Sequence, residues 1–315
     1  MTQTLTTIQA FVPNPESPAG VELADVPLPT ARDDQALVAV EAYSINRGEI
    51  FLLEQPRPGW RPGQDIAGRV LEAAGDGSGP PAGARVVGHA WDGGWAPLVP
   101  VATDSLVELP DEVPTTVAAT LPLAGLTAIR LMRAAGPLFG LRVLLTGASG
   151  GVGHLVTELA AAQGARVTAV SSSAQRGERL LALGAAEVVT HVEDAEGPFD
   201  VAFESVGGDS LVATLARMNE RGTVFWFGRA SGKPSTIDFS VPPNVTIRHF
   251  IYWKQYDEPD SRDLSTLVQL VASGRIHPEI GLIADWRETP DALIELRERR
   301  VRGNAVLTIE RTDDV

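Results

Sequence analysis

Glycines at positions 147, 150 and 153, with a fourth at 151, follow the apolar run 143–146 and precede a helical pattern over 154–163. Strand, glycine turn and helix in this order build a site for the pyrophosphate of a dinucleotide. Glycine lets the backbone turn sharply and approach the phosphates, and the free N–H groups of the helix start face their negative charge. Ser149, Gly150, Gly151 and Val152 are the residues this geometry would set against the phosphates. A second apolar run, 165–170, ends at Ser171, about 20 residues past the glycines, where such units discriminate between cofactors. An Asp or Glu there would hold the ribose 2′-OH of NAD. The chain has Ser171-Ser-Ser-Ala-Gln-Arg176 instead. Hydroxyls of Ser171 and Ser172 beside the Arg176 guanidinium suit a 2′-phosphate, with no carboxylate to repel it. The expected cofactor is NADPH; an ordinary turn with a capping serine and a solvated arginine is the alternative.

These residues need a parallel sheet to position them, and the surrounding pattern supplies one. From about 115 to 258, strand signals at 143–146, 166–170, 186–189, 200–204, 223–227 and 246–252 alternate with helical signals at 152–163, 175–183 and 209–219. That rhythm predicts a doubly wound α/β unit with helices on both faces. Val206, Phe227 and Gly228 then fall at the carboxyl ends of strands, where open sheets bind ligands, and are assigned to the nicotinamide side of the cofactor. Between 189 and 199 the chain is too short for a full crossover helix. Residues 1–114 read differently. Short β runs at 7–11, 35–42, 66–73, 85–89 and 95–101, separated by Gly/Pro turns, predict a compact barrel-like β domain. The segment 259–315 carries helices at 262–272 and about 290–299 and ends in a strand, 305–309, that could return to the first domain's sheet.

Composition narrows the function classes. A net charge of −14 disfavours nucleic acid as a partner. The basic cluster of Arg297, Arg299, Arg300 and Arg302 is interrupted by Glu295 and Glu298 and reads as a solvated helix face. No apolar run reaches membrane-span length, and the N-terminus lacks the features of a signal peptide, so the cytoplasm is the expected compartment. There are no cysteines, hence no thiolate metal site. The histidines at 89, 154, 191, 249 and 277 lack metal-ligand spacing; His154 reads as a surface helix residue.

At Tyr43-Ser-Ile-Asn-Arg-Gly-Glu49, Pro62-Gly-Gln-Asp-Ile-Ala-Gly68, Gly93-Gly-Trp-Ala96, Leu123-Ala-Gly-Leu-Thr-Ala128 and Gly147-Ala-Ser-Gly-Gly-Val-Gly153 the chain resembles a medium-chain dehydrogenase/reductase, and within that superfamily the zinc-free quinone oxidoreductase branch. The resemblance runs over essentially the whole length. It implies a GroES-like β-barrel catalytic domain, completed by the C-terminal segment, together with a Rossmann domain, and NADPH in the cleft between them. Zinc-dependent relatives place a ligand Cys where Asn46 stands and a His–Glu pair where Gln64-Asp65 stands. Neutral amides do not replace a thiolate and an imidazole on zinc, so no metal is expected. The resemblance sets Asn46 and Thr127 beside the nicotinamide and matches Asn304 to a position where relatives often carry Lys. Glu49 and Phe51 stand where the quinone reductases carry Asp and Tyr. Tyr43 is a candidate proton donor, with a packed strand residue as the alternative reading. The Thr-Gly-Ala-Ser-Gly-Gly-Val-Gly run also resembles the short-chain dehydrogenases, but no Tyr here is followed four residues on by Lys.

The activity so implied is zinc-independent, NADPH-dependent hydride transfer to a quinone or an α,β-unsaturated carbonyl. An enoyl-thioester reductase of a biosynthetic pathway and a non-catalytic NADPH-binding sensor are the alternatives. The aromatic group Phe250, Tyr252, Trp253 and Tyr256 could wall a substrate pocket or serve as an interface, and a homodimer pairing through strands of this region is expected.

Overall fold

The alternating apolar runs of the first third become strands wherever one face can be buried. In the structure, a computed structural model that describes residues 6–239, 241–254 and 258–310, they are β1 (Thr7–Pro13), β2 (Val21–Pro27), β3 (Gln35–Ile45), β4 (Asp65–Glu72), β5 (Arg85–His89), β6 (Leu98–Ala102) and β7 (Leu106–Glu108). A helix, α1 (Arg47–Glu54), follows β3, where the sequence pattern gave no helix signal. Asn46 is its N-cap and Glu49 stands at its third position, a capping box that starts the helix ahead of the unbroken apolar run Ile50–Leu53. Ile50 and Leu53 bury its inner face. A short helix, α2 (Thr115–Ala118), and a π-helical turn over Leu121–Gly125 lead to α3 (Leu126–Ala135).

The second region alternates as expected: β8 (Arg142–Leu145), α4 (Gly151–Ala162), β9 (Arg166–Val170), α5 (Ala174–Ala182), β10 (Glu187–Val189), β11 (Phe199–Glu204), α6 (Asp209–Ala216), β12 (Met218–Trp226) and β13 (Thr246–His249). The short link before β11 holds only a 3-10 turn, Val192–Asp194. The chain closes with α7 (Asp260–Ala272), β14 (Ile280–Asp285), α8 (Thr289–Arg297) and β15 (Asn304–Thr308).

The chain divides into two compact units, one formed by residues up to Leu126 and from Glu258 onward, the other by Thr127–Asp257. The first boundary falls at 126/127 rather than 114/115, because α2 and the turn after it pack with the β unit. In that unit a sheet runs β14-β15-β3-β4-β5-β7, with β6 also on β3, beside a β1–β2 hairpin. The last strand does return: β15 lies antiparallel to β3, with Leu307 opposite Tyr43. The core is built on Phe11, Tyr43, Trp95, Trp286, Leu293 and Leu307.

The other unit holds a six-stranded sheet, β10-β9-β8-β11-β12-β13, whose neighbouring strands are parallel throughout. Strand order reverses at β8/β11, so the crevice at their carboxyl ends is the topological switch point where such sheets take ligands. Leu144, Phe199, Ala202, Leu211 and Val224 fill its core. No helix among the described residues is long and apolar enough to cross a membrane.

Candidate functional site

The glycine turn lies between β8 and α4. Gly147 has φ +63°, and a Cβ there would stand 2.4 Å from Ser205 Oγ, so only glycine makes this turn without strain. Ala148 N–H donates to Val170 O at 3.1 Å and Gly150 N–H to Gly147 O at 3.0 Å, which stitches the turn to the end of β9 and to itself. Gly150 is the N-cap of α4 and offers no side-chain cap. The N–H groups of Gly151, Val152 and Gly153 therefore lie in the first helical turn with neither an intrahelical nor a capping partner, a nest for an anion.

Around this nest stand the serines and the arginine. Ser149 is buried, and its Oγ accepts from Arg176 Nε at 3.4 Å. Ser173, not Ser171, caps α5, accepting from Arg176 N at 3.3 Å. Ser171 is left with a buried hydroxyl that has no hydrogen-bond partner, while Ser172 is exposed. The capping reading thus applies to one serine, while the hydroxyls of Ser171 and Ser172 and the half-buried Arg176, bonded to Ser149, belong to the same β9–α5 turn. This donor set and the open helix start fit a phosphorylated dinucleotide.

One residue stands differently from expectation. His154 is not on the surface: it is fully buried, with Nδ1 2.9 Å from Gly150 O, and burial pulls its pKa down to about 4. It is a neutral ring under the helix start and brings no charge to a phosphate. Val206 N–H donates to Glu204 Oε1 at 3.0 Å, and its carbonyl accepts from Ser231 N at 2.8 Å. Phe227 likewise spends its N–H on Glu204 O at 2.8 Å. Their half-exposed side chains, and the Gly228 backbone, are what the β11 and β12 ends present. Phe250 and Tyr252 are buried within this unit, Trp253 is half exposed, and Tyr256 lies outside the described residues. Thr127 is buried in the first turn of α3.

The β unit carries a second polar cluster. Asp65, fully buried at the start of β4, accepts from Ser44 Oγ at 2.5 Å, Asn46 Nδ2 at 2.7 Å and Leu123 N at 2.8 Å. Burial pushes its carboxyl above the usual range, while these donors and the nearby His89 pull it back. Glu49 accepts from Asn46 N at 2.8 Å and Gly63 N at 3.0 Å; burial and then the charge of Asp65 push it up to about 8. His89 Nδ1 lies 2.7 Å from Asp260 Oδ2. The amide nitrogen of Asn46 is committed to Asp65, and only 8% of the residue is exposed. Asn304 is tied to its own sheet, with Nδ2 donating to Glu279 O at 3.0 Å. Tyr43 is a core residue: its hydroxyl lies 2.5 Å from Thr289 Oγ1, its ring stacks on Trp95, and desolvation drives its pKa far upward, so it holds its proton. Among the described residues no group of three or more His, Cys, Asp and Glu gathers to hold a metal.

One buried polar residue beside these turns was given no role from the sequence: Glu204, which ends β11 and is fully buried. The signal was present as a carboxylate closing an otherwise apolar strand end, directly before Val-Gly-Gly.

A parallel sheet with an uncapped glycine turn at its switch point, joined in one chain to a mixed β unit completed by the C-terminal strand, defines a dinucleotide-dependent oxidoreductase of two units. Residues 151–273 match the family described as Zinc-binding dehydrogenase. A chloroplast envelope quinone oxidoreductase homolog of Arabidopsis thaliana is 31% identical over 315 residues, covering 92% of this chain and 94% of that protein. Quinone oxidoreductase-like protein 2 of Mus musculus is 27% identical over 96% of this chain and 89% of its own. Among solved structures, a mycobacterial protein complexed with NADPH superposes with a TM-score of 0.88 at 25% identity, covering 96% of this chain and 100% of that one. The Escherichia coli quinone oxidoreductase complexed with NADPH shares the fold, with a TM-score of 0.87 at 21% identity over 96% of this chain and 100% of its own. The chain belongs to the medium-chain dehydrogenase/reductase superfamily, in its zinc-free quinone oxidoreductase branch.

Proposed function

We propose that this oxidoreductase reduces a quinone or an α,β-unsaturated carbonyl with NADPH. The observation that carries the reading is the open start of α4, with Ser149, Ser171, Ser172 and Arg176 beside it. When bound, NADPH supplies a hydride to an electron-poor acceptor. The chain's own task is placement. The N–H groups of 151–153 hold the pyrophosphate, and Arg176 with the serines holds the 2′-phosphate. Val206, Phe227 and Gly228 flank the nicotinamide side, and Thr127, Asn46 and Asn304 are assigned there from the family pattern. With Tyr43 locked in the core, the proton comes from solvent. Arg176→Ala should weaken NADPH binding much more than NADH binding, and NADPH oxidation should appear with a panel of quinones and enones. Equal effects on the two nucleotides would remove the 2′-phosphate assignment; no oxidation with any acceptor would remove the reaction.

A second reading, an enoyl-thioester reductase, is favoured by a polyketide synthase of Streptomyces halstedii that is 28% identical over 88% of this chain, a match covering 5% of that protein. Turnover of enoyl thioesters in preference to free quinones would select it. We also propose a homodimer. β13 is an edge strand with all its residues exposed and only β12 beside it, and a second copy would cover that edge. Light scattering should then give twice the chain mass of 33.4 kDa.

A further inference from the structure

Glu204 makes more connections than any cap or turn requires. Its carboxylate accepts from Thr146 Oγ1 at 3.1 Å, Val206 N at 3.0 Å, Gly207 N at 2.9 Å and Ser210 Oγ at 3.0 Å. Thr146 is the residue directly before the glycine turn, while Val206 and Gly207 form the turn after β11. The lacing continues through Ser205, whose N–H donates to Thr146 Oγ1 at 3.0 Å and whose Oγ donates to Thr146 O at 3.0 Å. Ser205 O accepts from Ala230 N at 3.0 Å, and a Cβ on Gly228 would stand 2.5 Å from that oxygen. The three turns at the carboxyl ends of β8, β11 and β12 are thus packed and hydrogen-bonded around residues 204–206.

We propose that Glu204 is a positioning residue for the dinucleotide: its buried carboxylate fixes the glycine turn and the β11 turn against each other, so that the donors of the α4 start are in place before the cofactor arrives. The inference rests on reading the β8–α4 turn as the pyrophosphate site. A carboxylate would otherwise be a poor neighbour for a dianion. Here its charge is consumed by four donors, and it faces the turns from within the fold rather than from the ligand side. Pre-ordering two loops lowers the entropy that binding must otherwise spend on them. The rival role is local: Glu204 also lies at the start of α6, whose N-cap Gly208 offers no side chain. A simple cap would affect stability and leave affinity alone.

The test is nucleotide binding by the full chain, followed by fluorescence titration with NADPH and with NADH. The variants are Glu204→Gln, Glu204→Leu, Thr146→Val and, as a stability control within the core of the same unit, Leu215→Ala. Glu204→Leu strips all four donors of their acceptor and should raise both dissociation constants tenfold or more, by the same factor, since it acts on the shared pyrophosphate and not on the 2′-phosphate. Glu204→Gln keeps an acceptor oxygen toward the same donors and should recover affinity to within about threefold. Thr146→Val removes only the hydroxyl link and should weaken both nucleotides severalfold; it decides the matter if Glu204→Leu does not fold. Leu215→Ala should lower the melting temperature and leave both affinities unchanged. Unchanged binding by the Glu204 and Thr146 variants, or an equal loss in Leu215→Ala, would overturn the proposal. Failure of the wild-type chain to bind either nucleotide would instead overturn the reading of the turn itself.

Discussion

Two glycines of the turn should respond to the same substitution in opposite ways. A Cβ on Gly153 would lie 2.4 Å from Gly147 O and 2.6 Å from both Ala148 Cα and Ala148 O. All of these are backbone atoms, and ordinary contact begins roughly 1 Å further out, so Gly153→Ala forces α4 away from the turn. Overpacking of this kind costs about 1–3 kcal/mol, offset by about 1 kcal/mol of helix propensity gained over glycine. Overlap with three backbone atoms puts the cost at the upper end of that range, and the net loss of about 2 kcal/mol lowers the melting temperature by roughly 4–8 °C. Gly150 is different. Its φ of −89° and ψ of 175° suit any residue, and its Cβ would meet only Gly147 O, at 3.3 Å. Gly150→Ala should melt within about 2 °C of wild type, yet its methyl group would stand where the pyrophosphate approaches the backbone, so NADPH binding should fall about a hundredfold. Thermal unfolding without nucleotide and fluorescence titration with NADPH separate the two effects. Wild-type affinity in Gly150→Ala would refute the placement of the pyrophosphate, and wild-type melting in Gly153→Ala would refute the close packing of helix on turn.

Other outcomes follow from the buried groups. Glu49, raised from 4.5 to about 8, adds stability that is complete below its unfolded value and is lost as pH rises through 8. Urea unfolding should therefore weaken between pH 5 and 8.5 by up to about 1.4 kcal/mol per pH unit, and Glu49→Gln should flatten that slope. His154, lowered from 6.5 to about 4, runs the other way: its contribution is complete above 6.5 and is lost as pH falls toward 4, so His154→Gln should flatten the acid side. Tyr43→Phe removes a buried hydroxyl bonded to Thr289 and should cost about 1 kcal/mol of stability while leaving the pH profile of kcat unmoved; a lost ionisation in that profile would restore Tyr43 as an acid.

The parallel unit was legible because its signals are local. An apolar strand, a glycine turn and an amphipathic helix each lie within about a dozen residues, and the structure puts α4, α5 and α6 within a few residues of the expected spans. In the β unit the same reasoning missed α1, since its eight residues are set by a capping box rather than by apolar periodicity. It also missed β2 and β14, whose exposed faces leave little alternation to read. Within the site, types and spacing identified which residues stand near a phosphate but not which were already occupied. Ser173 caps α5 and Ser171 does not, although both are serines before a helix. Val206 lies where a ligand contact is expected, yet its backbone is spent on Glu204 and Ser231. Competition for donors is a tertiary property, so the partners of Glu204 and the buried place of His154 could emerge only from the fold.

The cluster around Asp65 shows what replaces metal ligands in this branch. At the positions where zinc-dependent relatives carry their ligands, the side chains here satisfy one another. The Asn46 amide turns its N–H toward Asp65, so the group facing that carboxylate is a donor and not a lone pair. Asp65 in turn has one oxygen taken by Ser44 and Asn46 and the other by Leu123 N, which anchors the turn before α3. Glu49 closes the cluster by binding the backbone of Asn46 and Gly63. A cation entering this place would first have to break the hydrogen bonds that hold the fully buried Asp65 and Glu49. The same bonds hold the β3–α1 corner and the start of β4 together. Three elements of the unit, β3, α1 and β4, are thus tied by their own buried side chains.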